Sequence, residues 1–377
     1  MFKVITDKEE FIQNPILEMN EEEIKRAKTD DIVLYGKHYR MYDNDWKHHV
    51  HIKCTDRCDA DCKFCIERSE RNNPQNIDNM LLSTSIVLEE LANQGHLKTV
   101  SITGGEPTIF PKLEELINII DSYDLVLFSI NTNGRFLNKI PSSYTGWVNI
   151  SKHGINDASV FNRSFNITTD IVSDFKKKHP FTKVRFQCVL GTNEDMKTLG
   201  NIIDFILEFK DVVDDFSFRN LIIESNEDEI NKTLFDFRNI LFNNGELVEQ
   251  VIQDYYVYET YKMFGTLITL SWSNMAKLKE YNESNNSNFL EEIIVHPDGV
   301  VAGSWNKKSL VIHTPKSRLK DEYIPCRGIG CESPCKRYIS TSTPQKVHTI
   351  VDSCGSSISS CDDYDSISSC ESSIPSC

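Results

Sequence analysis

HVHIKCTDRCDADCKFC, residues 49–65, runs from a short alternation of apolar and polar residues into a loop that holds four cysteines. Alternation with period two reads as a strand ending near Cys54. Beyond it, Cys58, Cys62 and Cys65 stand at C-x3-C-x2-C spacing. Thiols this close in sequence are either bridged or ligating, and the compartment bears on the choice. The opening residues MFKVITDKEEFIQNP lack an apolar stretch and a small-residue cleavage site. Nowhere in the chain is there an apolar run of the roughly 18 residues that a membrane helix needs. The expectation is a cytoplasmic protein with no membrane contact, where glutathione keeps ordinary thiols reduced. The chain's 12 cysteines then read as ligands or reactive groups. Three thiolates on one tight loop can aim at one point. A cubane iron–sulfur cluster takes four cysteines, one per iron, so three would leave an iron open, and an open position signals catalysis. Zinc prefers four closed ligands, and Cys54 could complete such a set. Spacing by itself leaves both metals open.

Outward from the loop the pattern repeats. LLSTSIVLEELANQG (81–95) has helical apolar spacing and stops at Gly95. KTVSIT (98–103) is a strand, and PKLEELINIIDSY (111–123) a helix with Pro111 near its start. YDLVLFSINTNG (123–134), WVNISKHG (147–154), KVRFQCVLG (183–191) and DFSFRNLI (215–222) read as further strands. TDIVSDFKKKH (169–179) and NEDMKTLGNIIDFILEF (193–209) read as helices between them. Strands alternating with helices predict parallel βαβ units with both sheet faces covered. Six such strands predict an α/β fold, a partial (β/α)6 TIM-type barrel over residues 46–225, with functional groups at the C-terminal ends of its strands. Residues 1–45 form an N-terminal extension with one charged helix, EEEIKRAK (21–28), and a hairpin, IVLYGKHYRMY (32–42). After residue 225, NKTLFDFRNILFNN (231–244) and ELVEQVIQ (246–253) read as helices. FGTLITLSW (264–272) reads as a strand, and EEIIVHPDGVVAGSW (291–305) as a hairpin turning at Pro297-Asp298-Gly299. A small C-terminal domain is expected over 226–345. The Ser-, Asp- and Cys-rich tail, 346–377, repeats SISSC, SISSC and SIPSC, ending at Cys361, Cys370 and Cys377, and has the composition of a disordered segment. The net charge of −15 argues against nucleic acid as a partner, because phosphate contacts need basic surface.

ITGGEPT, residues 102–108, closes the strand after the cysteine loop. Gly104 and Gly105 allow backbone groups to approach a ligand closely, and Glu106 can accept hydrogen bonds from an ammonium. A lone Gly-Gly turn would merely end a strand. Together with the cysteine loop, however, the segment resembles the radical S-adenosylmethionine (radical SAM) superfamily, whose signature is C-x3-C-x-aromatic-C followed one strand later by GGEP. Phe64 is the aromatic here, and the resemblance covers about residues 46–225. It implies that Cys58, Cys62 and Cys65 hold a 4Fe–4S cluster whose open iron binds S-adenosylmethionine, and that Gly104, Gly105 and Glu106 receive the methionine amino group. Phe64, Asn131 in NTNG, Ser151 in NISKHG, and Asn193 and Arg219 at the next two strand ends fall at other cofactor-binding positions. Arg219 could grip a carboxylate. Cys54 is then a surplus thiol, expected to point away as a small buried residue, and Cys188, inside an apolar strand, is expected in the core. No single residue is assigned as catalytic.

CRGIGCESPCKRY (326–338) adds Cys326, Cys331 and Cys335. With VHPDGVVAGSW before it, this stretch resembles the SPASM or twitch domains of many radical SAM enzymes and implies an auxiliary iron–sulfur cluster, with a zinc knuckle as the other reading. Gly303 and Ser304 stand where those domains usually place a cysteine. The implied activity is reductive cleavage of S-adenosylmethionine to a 5′-deoxyadenosyl radical that takes hydrogen from a ribosomal peptide, forming thioether or carbon–carbon crosslinks. A small molecule such as a nucleotide or cofactor precursor is the alternative substrate, and a non-catalytic metal-binding scaffold the third reading. A low-potential electron donor, flavodoxin or ferredoxin, is the implied partner.

Overall fold

The computed structural model describes residues 24–26, 28–43, 49–65, 67–71, 73–162, 165–220, 227–253, 256–273 and 288–315. Three strands come first: β1 (Ile24–Arg26), β2 (Lys28–Leu34) and β3 (Lys37–Asp43), the last two forming the expected hairpin. Where the charged helix is expected over 21–28, the described residues are in strands. Ile24–Arg26 lies as a strand alongside a later one, so sheet pairing overrides the helix-forming composition.

The six expected barrel strands are present. They are β4 (Val50–Thr55), β5 (Thr99–Gly104), β6 (Leu127–Thr132), β7 (Trp147–Ser151), β8 (Lys183–Leu190) and β9 (Asp215–Asn220), each parallel to the next. Helices α1 (Ile77–Asn93), α2 (Leu113–Asp121), α3 (Thr169–Lys178) and α4 (Leu199–Phe209) intervene. Asn76 caps α1 by accepting from the Asn79 amide, and Thr198 caps α4 through Asn201.

Register rows show which face does what. Ile52, Ile102, Ile130, Val148 and Val184 lie side by side across five strands, all fully buried. They pack in one core with helix residues Val87, Leu91, Leu116, Ile120, Val172 and Phe205. The neighbouring row reads Asn131, Asn149, Arg185 and Asp215. Period-two alternation therefore splits the sheet into a helix-covered apolar face and a polar one. This departs from the two apolar-covered faces expected of a parallel sheet: the face turned to the barrel interior carries amides and charges. Asn149 donates to Asn131 at 2.9 Å, Asn131 donates to Ser101 at 2.9 Å, and Arg185 grips Asp215 at 2.5 and 2.7 Å.

The sheet continues past residue 225. Helix α5 (Glu227–Asn244) leads to β10 (Glu246–Gln253), β11 (Tyr256–Met263) and β12 (Thr266–Ser273), and β12 lies parallel to β9. ELVEQVIQ, expected as a helix, is β10. Its charged residues suit either state, and pairing with β11 over most of its length decides for the strand. On the other side β14 (Ile293–Val295) lies parallel to β4, with β15 (Val301–Ala302) and β16 (Val311–His313) beyond it, while β13 (Phe289–Leu290) joins β3. The whole reads β1-β10-β11-β12-β9-β8-β7-β6-β5-β4-β14-β15-β16. No helix among the described residues is long and apolar enough to cross a membrane. Cys326, Cys331, Cys335 and the tail lie outside the described residues.

Candidate active site

The cysteine loop begins and ends on one buried cation. Lys53, on the interior face of β4, is fully buried. Its ammonium meets Asp56 at 3.0 Å before the cysteines, and Glu67 and Glu70, the latter at 3.0 Å, after them. Burial acts to lower the Lys53 pKa, but the hydrogen bonds and charges of these carboxylates hold it above its usual value. The three carboxylates cluster closely enough to hold a metal ion, but the ammonium already supplies their cation. Neither Lys53 nor this fork was foreseen. The only signal was a lysine at an interior-facing position of a strand.

Within the loop, Cys58, Cys62 and Cys65 are half-buried, the first two beside an apolar patch of Ala60, Phe64, Val160 and Phe161. Burial pushes the Cys62 thiol up to about 12, and the like charges of Cys58 and Cys65 add to it. Burial also raises Cys58. A buried thiol whose ionisation two neighbouring thiols oppose becomes a thiolate beside a cationic centre, as a metal cluster provides. Cys54 is no fourth ligand: it is buried, its Sγ donates to the Thr103 carbonyl at 3.3 Å, and burial holds its thiol neutral. The donor set is thus three thiols on one loop, which fits a cubane with one open iron better than a closed zinc site. Cys188 lies in the core.

GGEP packs against the cysteine loop. A side chain at Gly104 would meet the Thr55 carbonyl at 2.3 Å, and one at Gly105 the Arg57 carbonyl at 2.0 Å. Gly105 and Glu106 donate their amides to those carbonyls at 2.6 and 2.8 Å. The glycines bring β5 against the root of the cysteine loop. The Glu106 carboxylate, 1% exposed, accepts from the Thr108 amide at 3.0 Å, the Thr108 and Thr132 hydroxyls at 2.6 Å each and the Asn133 amide at 2.7 Å. Three of these bonds fall on Oε1 and one on Oε2, which keeps a second acceptor site. In this structure the side chain ties the end of β5 to the end of β6. Asn133 passes the tie on, donating to Asp59 at 2.8 Å, and Arg135 meets the same carboxylate at 3.0 Å.

The remaining expected residues divide. Phe64 packs edge-on against His153 at 5.1 Å. Asn131, Ser151 and Arg219 sit on or next to the polar face, with the exposed Arg219 donating to Gln187 at 3.2 Å. Asn193 is occupied: it is 7% exposed, caps the turn at Glu194–Lys197 through the Asp195 amide, and donates to the His153 carbonyl at 2.7 Å. In this structure it serves as a cap and a tie. His153 accepts from the Val189 amide at 3.0 Å.

Residues 52–206 match the model of the Radical SAM superfamily. This segment is a radical SAM domain. Curated relatives include GTP 3′,8-cyclase of Aquifex aeolicus, 28% identical over 197 residues, which are 46% of this chain and 60% of that protein. GTP 3′,8-cyclase of Lactiplantibacillus plantarum is 30% identical over 191 residues, 47% of this chain and 54% of that protein. The chain thus spans little more than half the length of these relatives. Among solved structures, Streptococcus suis SuiB bound to precursor peptide SuiA covers 69% of this chain and 60% of its own, with 16% identity and a TM-score of 0.43. Radical SAM domains use a 4Fe–4S cluster and S-adenosylmethionine, and the three-thiol loop has the donor set for that cluster.

Proposed function

We propose that this chain is a radical SAM enzyme acting on a polar substrate held against the interior face of its barrel. The observation that supports this most is the loop of three half-buried thiols at C-x3-C-x2-C spacing, with Cys54 turned away. In the family, the cluster passes an electron to S-adenosylmethionine, whose cleavage gives methionine and a 5′-deoxyadenosyl radical that takes hydrogen from the substrate. This chain's residues do the holding. Cys58, Cys62 and Cys65 would bind three irons, and Lys53 fixes both ends of their loop. Glu106 and Asn133 keep the ends of β5 and β6 in register with that loop, and the Phe64–Phe161 patch keeps water from one side of it. Asn131, Asn149, Ser151, Gln187 and Arg219 offer hydrogen bonds to a polar molecule along the interior face.

Two substrate readings have support. A cysteine-bearing ribosomal peptide is favoured by Cys326, Cys331 and Cys335 as an auxiliary cluster site and by the repeated SISSC units, which resemble a core peptide. A small molecule is favoured by the polar interior and by relatives named GTP 3′,8-cyclase. Anaerobic incubation of the reconstituted protein with S-adenosylmethionine and reductant tests both. 5′-Deoxyadenosine should form. A tail fragment lighter by about two daltons per crosslink, each thioether removing one thiol and one carbon-bound hydrogen, would support the peptide reading. A tail whose thiols all still alkylate after many turnovers would leave the small molecule.

A further inference from the structure

The cysteine loop carries two aspartates between its cysteines, and the second leads to a cation that the mechanism above does not use. Asp61 is fixed by its amide, which donates to the Phe161 carbonyl at 3.0 Å. Its carboxylate spreads over two guanidinium groups, meeting Arg68 at 2.7 Å and Arg71 at 3.1 Å. These arginines differ. Arg68 is half exposed, with 52% of its side chain open to solvent, whereas Arg71 has 20%. Nη2 of Arg71 is buried and has no hydrogen-bond partner among the described residues. The guanidinium lies within electrostatic reach of Cys58, Cys62 and Cys65. Asp61, next in sequence to Cys62, holds Arg71 by Nη1 against the cysteine loop.

We propose that Arg71 is a positioning residue that sets the reduction potential of the cluster held by Cys58, Cys62 and Cys65. This rests on reading those thiols as the cluster site. Reduction adds one electron to a group already anionic through its thiolates. A neighbouring cation stabilises that added charge, and net charge is among the factors that set such potentials. The partially buried position keeps solvent and salt from screening the effect as they would at Arg68. The one-electron step takes its electron from a low-potential donor, which is oxidised by one electron as the cluster is reduced.

The test is a potentiometric titration of the full reconstituted chain with dithionite and viologen mediators, followed by electron paramagnetic resonance without S-adenosylmethionine. The catalytic-cluster signal is the part that vanishes when Cys58, Cys62 and Cys65 are all replaced by Ala. Arg71→Gln should lower the ratio of reduced to oxidised cluster about tenfold at a fixed poise, equivalent to about 59 mV for a one-electron couple. Arg71→Lys, which keeps the charge, should recover most of that ratio. Arg68→Gln, which breaks the other Asp61 contact, should leave it unchanged. An unchanged ratio in Arg71→Gln, or an equal fall in Arg68→Gln, overturns the proposal. If Arg71→Gln fails to retain the cluster, recovery by Arg71→Lys supports a role for the charge, and lack of recovery overturns it. A wild-type chain with no such signal would instead sink the cluster assignment itself.

Discussion

Two side chains with fully buried cations, Lys53 and Arg238, hold together two parts of this molecule in opposite ways. Arg238 on α5 meets one carboxylate, Glu259 on β11, through two bonds of 2.7 and 2.8 Å. Gln250 and the Tyr261 hydroxyl donate to the same carboxylate at 2.8 and 2.7 Å. Charge is balanced one to one, and neutral donors fill the remaining sites. The pair joins a helix to a sheet far along the chain from the cysteines. Lys53 instead faces three carboxylates, two of them partly open to solvent. That arrangement is a poor way to stabilise a fold but a good way to close a loop, since one ammonium reaches both of its ends. A balanced pair marks structure, and an unbalanced fork marks a loop held in place for its chemistry.

The largest effect that would break this comparison lies at the balanced pair. Glu259→Ala strands a buried guanidinium and should cost about 3–5 kcal/mol, in the range for breaking a buried ion pair. Urea unfolding measures it, and a loss under 1 kcal/mol would mean that the join is not structural. Lys53→Met should behave otherwise. The two partly exposed carboxylates can regain water, so the unfolding midpoint should fall less than in Glu259→Ala. Iron retention at the three thiols should weaken by about tenfold, comparable to the loss of an outer partner at a metal site. Iron loading equal to wild type in a folded Lys53→Met protein would leave the fork without a role at the site.

The fold was legible wherever a local pattern had a single reading. All six barrel strands, their parallel order and the hairpin at Pro297-Asp298-Gly299 followed from period and turn chemistry. EEEIKRAK and ELVEQVIQ misled because their composition favours helix, while the strand partners that overrule it lie far away in sequence. At the site, C-x3-C-x2-C pointed to the three thiols proposed as ligands, because a metal would dictate such a spacing. The Glu106 clamp, the Asp59–Asn133 link and the Lys53 fork depend on which strand ends meet, and that information is held only in the folded sheet.

A smaller effect sharpens the picture on the other side of β4. His296, buried in the β14–β15 hairpin, donates from Nε2 to the Ser304 carbonyl at 3.3 Å. Burial, assisted by the Lys53 charge, lowers its pKa to about 4. The unfolded chain takes up this proton near pH 6.5, and the folded chain does not until about pH 4. Stability contributed by neutral His296 is therefore complete above pH 6.5 and declines as pH falls through that window. Between pH 7.5 and 5 the wild type should lose about 2 kcal/mol more than His296→Gln. Equal losses would place the histidine in contact with water.

The most direct test compares Cys54→Ala with the variant in which Cys58, Cys62 and Cys65 are all Ala. Iron and 5′-deoxyadenosine are measured after anaerobic reconstitution with S-adenosylmethionine and reductant. The triple variant should hold about four fewer irons than wild type, one cubane's worth, and should form no 5′-deoxyadenosine. Cys54→Ala should match wild type in both. Iron unchanged in the triple variant, or cleavage abolished in a folded Cys54→Ala protein, would contradict the assignment of the three-thiol loop as the catalytic centre.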